Sequence, residues 1–278
     1  MLGIGMLAAV GRLPDGQNEV VVASQPRSAV TESFRVLVSN IRFSSVDKPL
    51  RTLMVTSPRS SEGKSLIVAN LAATTAQSGL SVVAVDADLR RPRLHRMFGL
   101  DARNGLSESI VEGTTAGKLH PTDLKGLSTL TSGGLPPDPA QLLASPRMKE
   151  LLEELTAEAD VVVVDSAPIL PVADAAVLAP VVDGVLLVLR AGKSRREAAQ
   201  QAVERLNQAG ANLVGVVLNA VPTPDDVYYW RYTSPEDQED GSPKRRQMGP
   251  LVALGQSFKQ ALAAVSLWFK GERKDSHA

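Results

Sequence analysis

The sequence predicts an α/β fold in which a mostly parallel central sheet is flanked by helices on both faces. Short, continuous runs of Val and Leu recur along the chain, and segments with helical periodicity separate them, as at Arg147 to Ala157 and Arg195 to Ala209. Strands that are buried on both faces have this uninterrupted apolar character, and helices supply the connections that parallel strands need. Polar residues follow the runs directly, at the sheet edge where open α/β sheets bind ligands.

The predicted elements begin with a helix that precedes the core. Its apolar residues recur at helical spacing from Thr31 onward, and the strand run Leu53 to Val55 then leads through a loop into a helix over Leu66 to Gln77. The later strand runs are residues 82–85, 161–164, 185–189 and 214–218, which are followed by Asp86, Asp165, Arg190 and Asn219. We therefore expect these polar side chains to share one edge of the sheet.

Composition limits the classes of function. Lys plus Arg and Asp plus Glu each total 30 in 278 residues, so the formal net charge is zero and no global basic field favours nucleic acid as a partner. The absence of Cys excludes disulfides, thiolate nucleophiles and Cys-ligated metals, and it fits a reducing cytoplasm. The apolar run Met1 to Val10 falls short of the roughly 20 residues of a spanning helix and lacks a preceding basic residue, so it predicts neither a secretion signal nor a membrane span.

The chain divides by composition into four segments. Residues 1–46 contain the first helix, 47–222 form the core domain, and 223–247 are rich in Pro, Asp and Glu and predict a flexible tail. All three Tyr of the chain lie in that tail, namely Tyr228, Tyr229 and Tyr232. Residues 248–278 predict an amphipathic C-terminal helix, and two interpretations of its apolar stripe stay open: packing on the core or lying at a membrane surface.

The segment Gly63-Lys64-Ser65 has the features of a phosphate-binding loop. Such a loop joins a strand to a helix, surrounds phosphate with backbone N–H groups, and supplies a Lys for the phosphates and a hydroxyl for Mg²⁺. Pro58 stands where the general pattern has its first Gly, but the flanking strand and helix favour phosphate binding over an ordinary loop. The predicted nucleotide-binding residues are Ser60, Ser61, Glu62, Gly63, Lys64, Ser65 and Leu66, with Arg190 and Asn219 as further candidates at later strand ends.

Three acidic residues follow strands at the same predicted edge. Asp86 and Asp88 lie two residues apart after one strand, where one carboxylate can hold metal while the other accepts a proton from a hydroxyl. Asp165 follows four consecutive Val, the placement of the acid that holds the Mg²⁺ shell in phosphate-loop NTPases. The alternative for Asp86 and Asp165 is that each caps the helix that follows it.

Together, the Gly-Lys-Ser loop, Asp86-x-Asp88-x-Arg90 and the stretch Val162 to Pro168 resemble the bacterial tyrosine kinases of capsule and exopolysaccharide assembly, relatives of the MinD/ParA-type ATPases. The resemblance spans roughly residues 28–232 and includes the segments 135–143, 171–175 and 187–192. It implies a P-loop NTPase fold and an ATP- and Mg²⁺-dependent protein-tyrosine autokinase that regulates polysaccharide chain length, polymerisation and export.

The resemblance also implies partners and a location. The family's kinases assemble as homo-oligomeric rings, work with a membrane chain-length regulator as activator, and are reversed by a tyrosine phosphatase. Residues 1–14 resemble the stretch that follows the second membrane span in fused relatives. The implied location is therefore the cytoplasm, at the inner face of the cell membrane, through a partner or a fused membrane domain.

Roles carry over residue by residue from the resemblance. It implies that Lys64, Asp86, Asp88 and Asp165 are catalytic, with Asp86 activating the tyrosine hydroxyl, and that Ser65, Asp86 and Asp165 hold the metal. Tyr228, Tyr229 and Tyr232 become the acceptors, and they enter the site of a neighbouring subunit. Glu32 and Arg35 match two positions of the family's oligomerisation helix, whose third position here is Val38.

Two alternative functions stay open at the level of sequence. Arg59 stands where the related partitioning ATPases carry a signature Lys, which supports a MinD/ParA-like ATPase that positions cargo. The family's loop usually has Pro-Gly where this chain has Ser60-Ser61, so close phosphate approach at Ser61 lacks the freedom of glycine. That departure, together with Val38, supports the other alternative, a non-catalytic scaffold of the export machinery.

Overall fold

The computed structural model describes residues 4–13, 19–44 and 49–222. By compactness the chain separates into two units, Met1–Ala220 and Val221–Ala278. The predicted tail with Tyr228, Tyr229 and Tyr232 and the predicted C-terminal helix lie outside the described residues.

One sheet of eight strands organises the described residues, and it is mostly parallel as predicted. Across the sheet the order is β1-β8-β7-β2-β6-β3-β5-β4. Five neighbouring pairs, from β8–β7 through β3–β5, are parallel, whereas the short β4 pairs antiparallel with β5. The strands are β1 (Met6–Gly11), β2 (Thr52–Thr56), β3 (Val82–Ala87), β4 (His120–Pro121), β5 (Leu127–Leu130), β6 (Val161–Ser166), β7 (Gly184–Arg190) and β8 (Leu213–Val221).

Helices cover both faces of the sheet because its strands are apolar on both sides. Val162 and Val164 of β6 pack in one core with Leu155, whereas Val163 between them packs in a second core with Leu71. None of the helices in the described residues is both long and apolar enough to cross a membrane. The helices are α1 (Val21–Ser24), α2 (Ala29–Ser44), α3 (Lys64–Gln77), α4 (Leu94–Met97), α5 (Leu106–Glu112), α6 (Pro139–Leu143), α7 (Pro146–Glu158), α8 (Asp174–Leu178), a 3₁₀ turn (Ala179–Val181) and α9 (Arg196–Gln208).

Strand register places the predicted polar residues side by side, as the sequence predicts. Asp86 of β3 is the direct neighbour of Asp165 of β6. Arg190 of β7 is likewise the neighbour of Asn219 of β8. Since these are parallel pairs, all four residues lie towards the carboxyl ends of their strands, at the same edge of the sheet.

Two features of the amino-terminal part differ from the sequence prediction. The run Met1 to Val10 predicted no element, but residues 6–11 form β1, with Ala8 and Val10 buried. Leu7 of β1 lies close to the backbone of β8, because a Cβ on Gly215 of β8 would be 2.5 Å from Cγ of Leu7. The helix predicted from Thr31 begins earlier, at Ala29, because the Ser28 hydroxyl accepts a hydrogen bond of 3.1 Å from the Thr31 N–H.

Candidate active site

The predicted phosphate loop joins β2 to α3 and ends at Gly63. This residue has φ 98°, a left-handed conformation that suits glycine. A Cβ at residue 63 would lie 1.9 Å from Nδ2 of Asn219, the atom that donates a hydrogen bond of 2.9 Å to the carbonyl of Glu62. Asn219 therefore braces the loop from the end of β8, and only glycine fits beneath it.

Ser61 also has a left-handed backbone, with φ 62°, although it is not glycine. At this position the sequence lacks the conformational freedom of glycine, as predicted. Its carbonyl accepts hydrogen bonds from Nη1 of Arg190 at 3.2 Å and from Nζ of Lys193 at 3.3 Å. Two cations from the end of β7 thus meet the loop at the residue with the unusual backbone.

Glu62 has a structural role through its side chain. The residue is only 2% exposed. Its Oε2 accepts a hydrogen bond of 2.7 Å from the N–H of Arg59, and its Oε1 accepts one from the hydroxyl of Ser194. Because both carboxylate oxygens are engaged, the group of Glu62 available to a nucleotide is its backbone.

Lys64 is buried at the first position of α3 and points to an acidic neighbour. Its Nζ lies 3.7 Å from Oδ2 of Asp88, which is buried as well. The other oxygen of Asp88 accepts a hydrogen bond of 3.0 Å from the N–H of Arg91. A Lys–carboxylate distance of 3.7 Å exceeds that of a good charge-assisted hydrogen bond, so Lys64 keeps donors for a phosphate.

Asp165 is fully buried, and neither of its carboxylate oxygens has a hydrogen-bond partner among the described residues. Burial raises the pKa of Asp165 to about 6, against the opposing charge of Lys64. The hydroxyl of Ser65 is near enough to lower this pKa as well, but its geometry falls short of a hydrogen bond. The alternative that Asp165 caps a helix is therefore wrong.

Asp86 divides its two oxygens between two tasks. Its Oδ2 accepts hydrogen bonds of 2.9 Å from the N–H groups of Arg93 and Leu94, at the start of α4. Its Oδ1 is buried and has no partner within the described residues. Burial, and then the adjacent Asp165, raise the pKa of Asp86 well above its ordinary value. The capping alternative thus holds for one oxygen and leaves the other available.

The oxygens at this edge fit a magnesium ion. Among the residues that the structure describes, three buried carboxylate oxygens of Asp86 and Asp165 have no hydrogen-bond partner, and the hydroxyl of Ser65 lies beside Asp165. No group of three or more His, Cys, Asp or Glu side chains forms a metal cage anywhere in the described residues. Mg²⁺ seldom uses such cages, because it binds through one or two carboxylates together with waters and substrate phosphates.

A cavity of about 390 Å³ is lined by Ser65 and Asp88, whereas the buried Asp86 and Asp165 are not part of its lining. It has the charge expected of an anion site, because cationic side chains outnumber the acidic ones in its lining. The charged residues of the lining are Arg12, Lys64, Arg91, Arg93 and Arg190 against Glu19 and Asp88. A cavity of about 440 Å³ at the opposite edge, beside Arg51 and Asp160, contains none of the predicted site residues.

The structure brings most of the predicted residues together. The cavity is lined by residues that include Ser60, Ser61, Gly63, Lys64, Ser65, Leu66, Asp88, Arg190 and Asn219. Glu32 and Arg35 instead pair with each other at 2.9 Å on α2, and each side chain is 46% exposed. The predicted acceptors Tyr228, Tyr229 and Tyr232 lie outside the described residues.

Sequence reasoning missed several residues of the site. Lys193 and Ser194 contact the phosphate loop, and they belong to a second Gly-Lys-Ser triplet, Gly192-Lys193-Ser194, two residues after the end of β7. The triplet is visible in the sequence, but it does not predict that contact. Arg12 and Glu19 line the cavity from the amino-terminal segment, with Glu19 bonded at 2.7 Å to Arg93. No local pattern marked these two.

An ion pair between Arg90 and Asp174 joins two of the segments that resemble the kinase family. Nε and Nη2 of Arg90 donate to Oδ2 and Oδ1 of Asp174 at 2.8 and 3.0 Å. Asp174 is fully buried at the start of α8, whereas Arg90 is partly exposed. This bidentate pair fixes the loop after β3 against α8 and so holds the segment that carries Asp88.

Comparison with known proteins agrees with this geometry. Residues 49–223 match the sequence profile of the ParA family, described as NUBPL iron-transfer P-loop NTPase. The chain is similar to tyrosine-protein kinase YwqD of Bacillus subtilis, with 41% identity over 73% of this chain and 86% of that protein. It is also similar to putative tyrosine-protein kinase CapB of Staphylococcus aureus, with 36% identity over 76% of this chain and 93% of that one.

Solved structures give the same result. The chimerical protein CapA2B2 superposes with a TM-score of 0.75 and 32% identity, over 80% of this chain and 96% of that one. The septum site-determining protein MinD of Pyrococcus horikoshii, in complex with Mg-ADP, superposes with a TM-score of 0.53 and 21% identity. It covers 63% of this chain and 74% of that one, a likeness of fold alone.

Proposed function

Because this chain belongs to the ParA-type P-loop NTPases and, among them, to the bacterial tyrosine-protein kinases, we propose that it is an ATP-dependent protein-tyrosine autokinase. The observation that carries the proposal is the arrangement at the sheet edge. The phosphate loop carries a buried Lys64 whose charge acts on Asp165, and Asp86 is the neighbour of Asp165 in the sheet. These two acids have three buried carboxylate oxygens without a hydrogen-bond partner in the described residues. In this proposal the kinase regulates the chain length, polymerisation and export of a capsular polysaccharide or an exopolysaccharide.

Lys64 and the loop around it bind and orient the triphosphate. The backbone N–H groups from Ser61 to Ser65 and the start of α3 favour anionic phosphate, and Lys64 reaches the β and γ phosphates. Phosphoryl transfer depends mainly on this positioning and on charge stabilisation. When bound, Mg²⁺ would neutralise charge that develops on the phosphates. Ser65 and Asp165 would hold it directly, and Asp86 would hold it through a bound water, which leaves Oδ1 of Asp86 for the proton.

Asp86 receives the proton in the proposed reaction. The tyrosine oxygen forms a bond to the γ-phosphorus of ATP while the bond between that phosphorus and the β–γ bridging oxygen breaks, and ADP leaves. The hydroxyl proton passes to Oδ1 of Asp86, the oxygen that lacks a partner within the described residues. Burial raises the pKa of this carboxylate, which improves it as a proton acceptor.

The acceptors in the proposal are Tyr228, Tyr229 and Tyr232, which enter the site of a neighbouring copy within a homo-oligomer. Residues 47–222 then form the kinase domain and 223–247 the acceptor tail. A membrane chain-length regulator that activates the kinase and a phosphatase that reverses it complete the set of partners. The partner or a fused membrane domain would hold the protein at the inner face of the membrane.

Mapping of phosphotyrosine tests the proposal directly. The full chain and its Lys64→Ala variant are produced in cells together with a membrane chain-length regulator, and phosphorylated tyrosines are mapped by mass spectrometry. We expect phosphate on Tyr228, Tyr229 or Tyr232 that disappears in the variant, whereas Lys125→Ala, at an exposed site, keeps it.

Other outcomes would contradict the autokinase. Unmodified tyrosines in a protein that hydrolyses ATP would favour the partitioning-type ATPase. Failure of the wild-type chain to bind ATP would favour the non-catalytic scaffold.

A further inference from the structure

We propose that the loop after β7 clamps the phosphate loop, and that Arg190 and Lys193 are positioning residues that hold Ser61 in its left-handed conformation. The inference rests on the nucleotide-binding part of the proposed function and deepens it. It concerns how this chain builds a phosphate-binding loop around a serine in place of a glycine.

The first step is the backbone of Ser61. Its φ of 62° lies in the left-handed region, which is unfavourable for a residue with a Cβ. Such conformations persist where the surrounding structure enforces them, and they cluster at ligand sites. Ser61 itself is exposed, and no hydrogen bond of its side chain is present in the described part of the chain to enforce this conformation.

Arg190 and Lys193 hold the carbonyl of Ser61. It accepts from Arg190 at 3.2 Å and from Lys193 at 3.3 Å, so both of its lone pairs are used. Neither cation forms an ion pair with an acidic residue in the segments that the structure describes. Both donors are therefore directed at one neutral oxygen of the phosphate loop.

Hydrogen bonds between Arg190 and Ser194 make the loop that carries these cations rigid. The hydroxyl of Ser194 accepts a hydrogen bond of 2.7 Å from the N–H of Arg190, and the Ser194 N–H returns one of 2.9 Å to the Arg190 carbonyl. Gly192 supplies the positive φ of 70° that the turn requires. The buried hydroxyl of Ser194 then donates to Glu62, the residue after Ser61.

These contacts form one clamp across a long sequence separation. Arg190, Lys193 and Ser194 act on Ser61 and Glu62 from one side, and Asn219 fixes the Glu62 carbonyl from β8. The clamp holds the backbone of residues 61–63 in the shape in which its N–H groups can surround phosphate. The competing explanation is that Arg190 and Lys193 attract the nucleotide directly through their charge.

A serine-to-glycine exchange separates the two explanations, because glycine adopts a positive φ without a clamp. We would measure Kd for the fluorescent ATP analogue mant-ATP, with Mg²⁺, for the full chain and for Arg190→Met/Lys193→Met. We expect Kd to rise about tenfold, equivalent to about 1.4 kcal/mol. Adding Ser61→Gly to the double variant should return Kd to within about threefold of the wild type, because glycine adopts the left-handed backbone without the penalty that a Cβ brings.

Hydrogen exchange supplies a readout that needs no nucleotide. The N–H groups of Arg59 and Ile67 donate to the Glu62 carboxylate and to the Gly63 carbonyl, so their exchange reports on the shape of the loop. We expect amide exchange at Arg59 and Ile67 to accelerate in Arg190→Met/Lys193→Met and to slow again when Ser61→Gly is added. Lys125→Met, at an exposed site elsewhere, is the control for loss of positive charge. Thermal unfolding of each variant confirms that the domain is folded.

Two results would overturn the clamp. An unchanged Kd together with unchanged exchange in the double variant would show that the cations do not position the loop. A raised Kd that Ser61→Gly leaves unrepaired would assign them to direct attraction of the nucleotide. If the wild type binds mant-ATP but carries no phosphotyrosine, the autokinase fails while the clamp stands. If it binds no nucleotide, exchange alone decides on the clamp.

Discussion

Asp165 combines full burial with a carboxylate that has no hydrogen-bond partner in the described residues, and this has a consequence for stability. Burial raises its pKa to about 6, so between about pH 4 and 6 the native state binds more protons than the unfolded chain. Stability of the free protein therefore falls as the pH rises through that window and stays reduced above it.

From this we expect Asp165→Asn to stabilise the nucleotide-free protein by about 1 to 3 kcal/mol at about pH 7.5, because one pKa unit corresponds to about 1.4 kcal/mol. The gain should shrink at about pH 5, and nucleotide binding with Mg²⁺ should weaken. Urea unfolding at both pH values measures the effect, with Asp123→Asn at an exposed site as control. An equal loss of stability at both pH values would contradict the uncompensated charge.

The close approach of Asn219 to Gly63 also predicts the effect of a substitution. Gly63→Ala introduces a Cβ 1.9 Å from Nδ2 of Asn219, whereas the Cβ of Gly79→Ala, at the similar φ of 92°, meets no atom of the described residues within 4 Å. Both variants should lose about 1 kcal/mol of stability through the left-handed backbone. Only Gly63→Ala should also weaken mant-ATP binding, by about a hundredfold or more, because Asn219 must release Glu62. Equal binding by the two variants would argue against the brace.

Helix α3 fixes the amino-terminal segment around Glu19 and Val22 as well as the phosphate loop. Asn70, buried on α3, donates to the Glu19 carbonyl at 2.8 Å and to the Leu66 carbonyl at 2.9 Å, and accepts from the Val22 N–H at 3.1 Å. One amide thus fixes the segment before α1, which lines the cavity through Glu19, to the helix that begins at the phosphate site.

We expect Asn70→Ala to lower the free energy of unfolding by about 2 kcal/mol, since it leaves a buried backbone N–H without its partner. The segment should also become accessible to trypsin at the exposed Arg27. Limited proteolysis followed by mass spectrometry measures this. Gln77→Ala is the matched control, because the hydrogen bond that Gln77 donates to the same segment, to the Val22 carbonyl, is long at 3.4 Å. Equal cleavage of both variants would contradict the role of Asn70.

The elements also show how far the sequence predicts this structure. Strand runs that end in Asp86, Asp165, Arg190 and Asn219 predict the central strands and their shared edge, because an uninterrupted apolar run is a local signal. Strand β1 was not predicted, because its position depends on the long-range approach to Gly215.

The site also has features that local sequence patterns predict and features that depend on long-range contacts. The phosphate loop and the acids follow from local patterns, and their proximity follows from parallel strands. The unequal tasks of the two Asp86 oxygens depend on where α4 begins in space. The contacts of Arg190 and Lys193 join residues 129 and 132 positions from Ser61, a separation that no local pattern encodes.

At the scale of the whole molecule, the formal net charge is zero, so added phosphate changes the balance strongly. Each phosphotyrosine adds about −1.5 to −2 charges. If Tyr228, Tyr229 and Tyr232 are modified within an oligomer, like charges accumulate in every subunit. We expect the wild-type protein to form a smaller species after incubation with ATP, Mg²⁺ and its activator.

Light scattering coupled to size-exclusion chromatography measures this change in mass. A variant with all three tyrosines changed to Phe is the control, and it should keep the larger mass under the same conditions. A fully phosphorylated wild type of unchanged mass would contradict control of assembly by phosphorylation.

The sheet sets its earliest strand in the sequence beside its latest, since β1 (Met6–Gly11) neighbours β8 (Leu213–Val221). During synthesis the ribosome must therefore release the chain as far as Val221 before β1 gains its neighbour. Pairings between such distant residues form slowly, because a large loop must close first. The amino-terminal segment that carries Arg12 thus completes the lining of the cavity only after the whole domain has been translated.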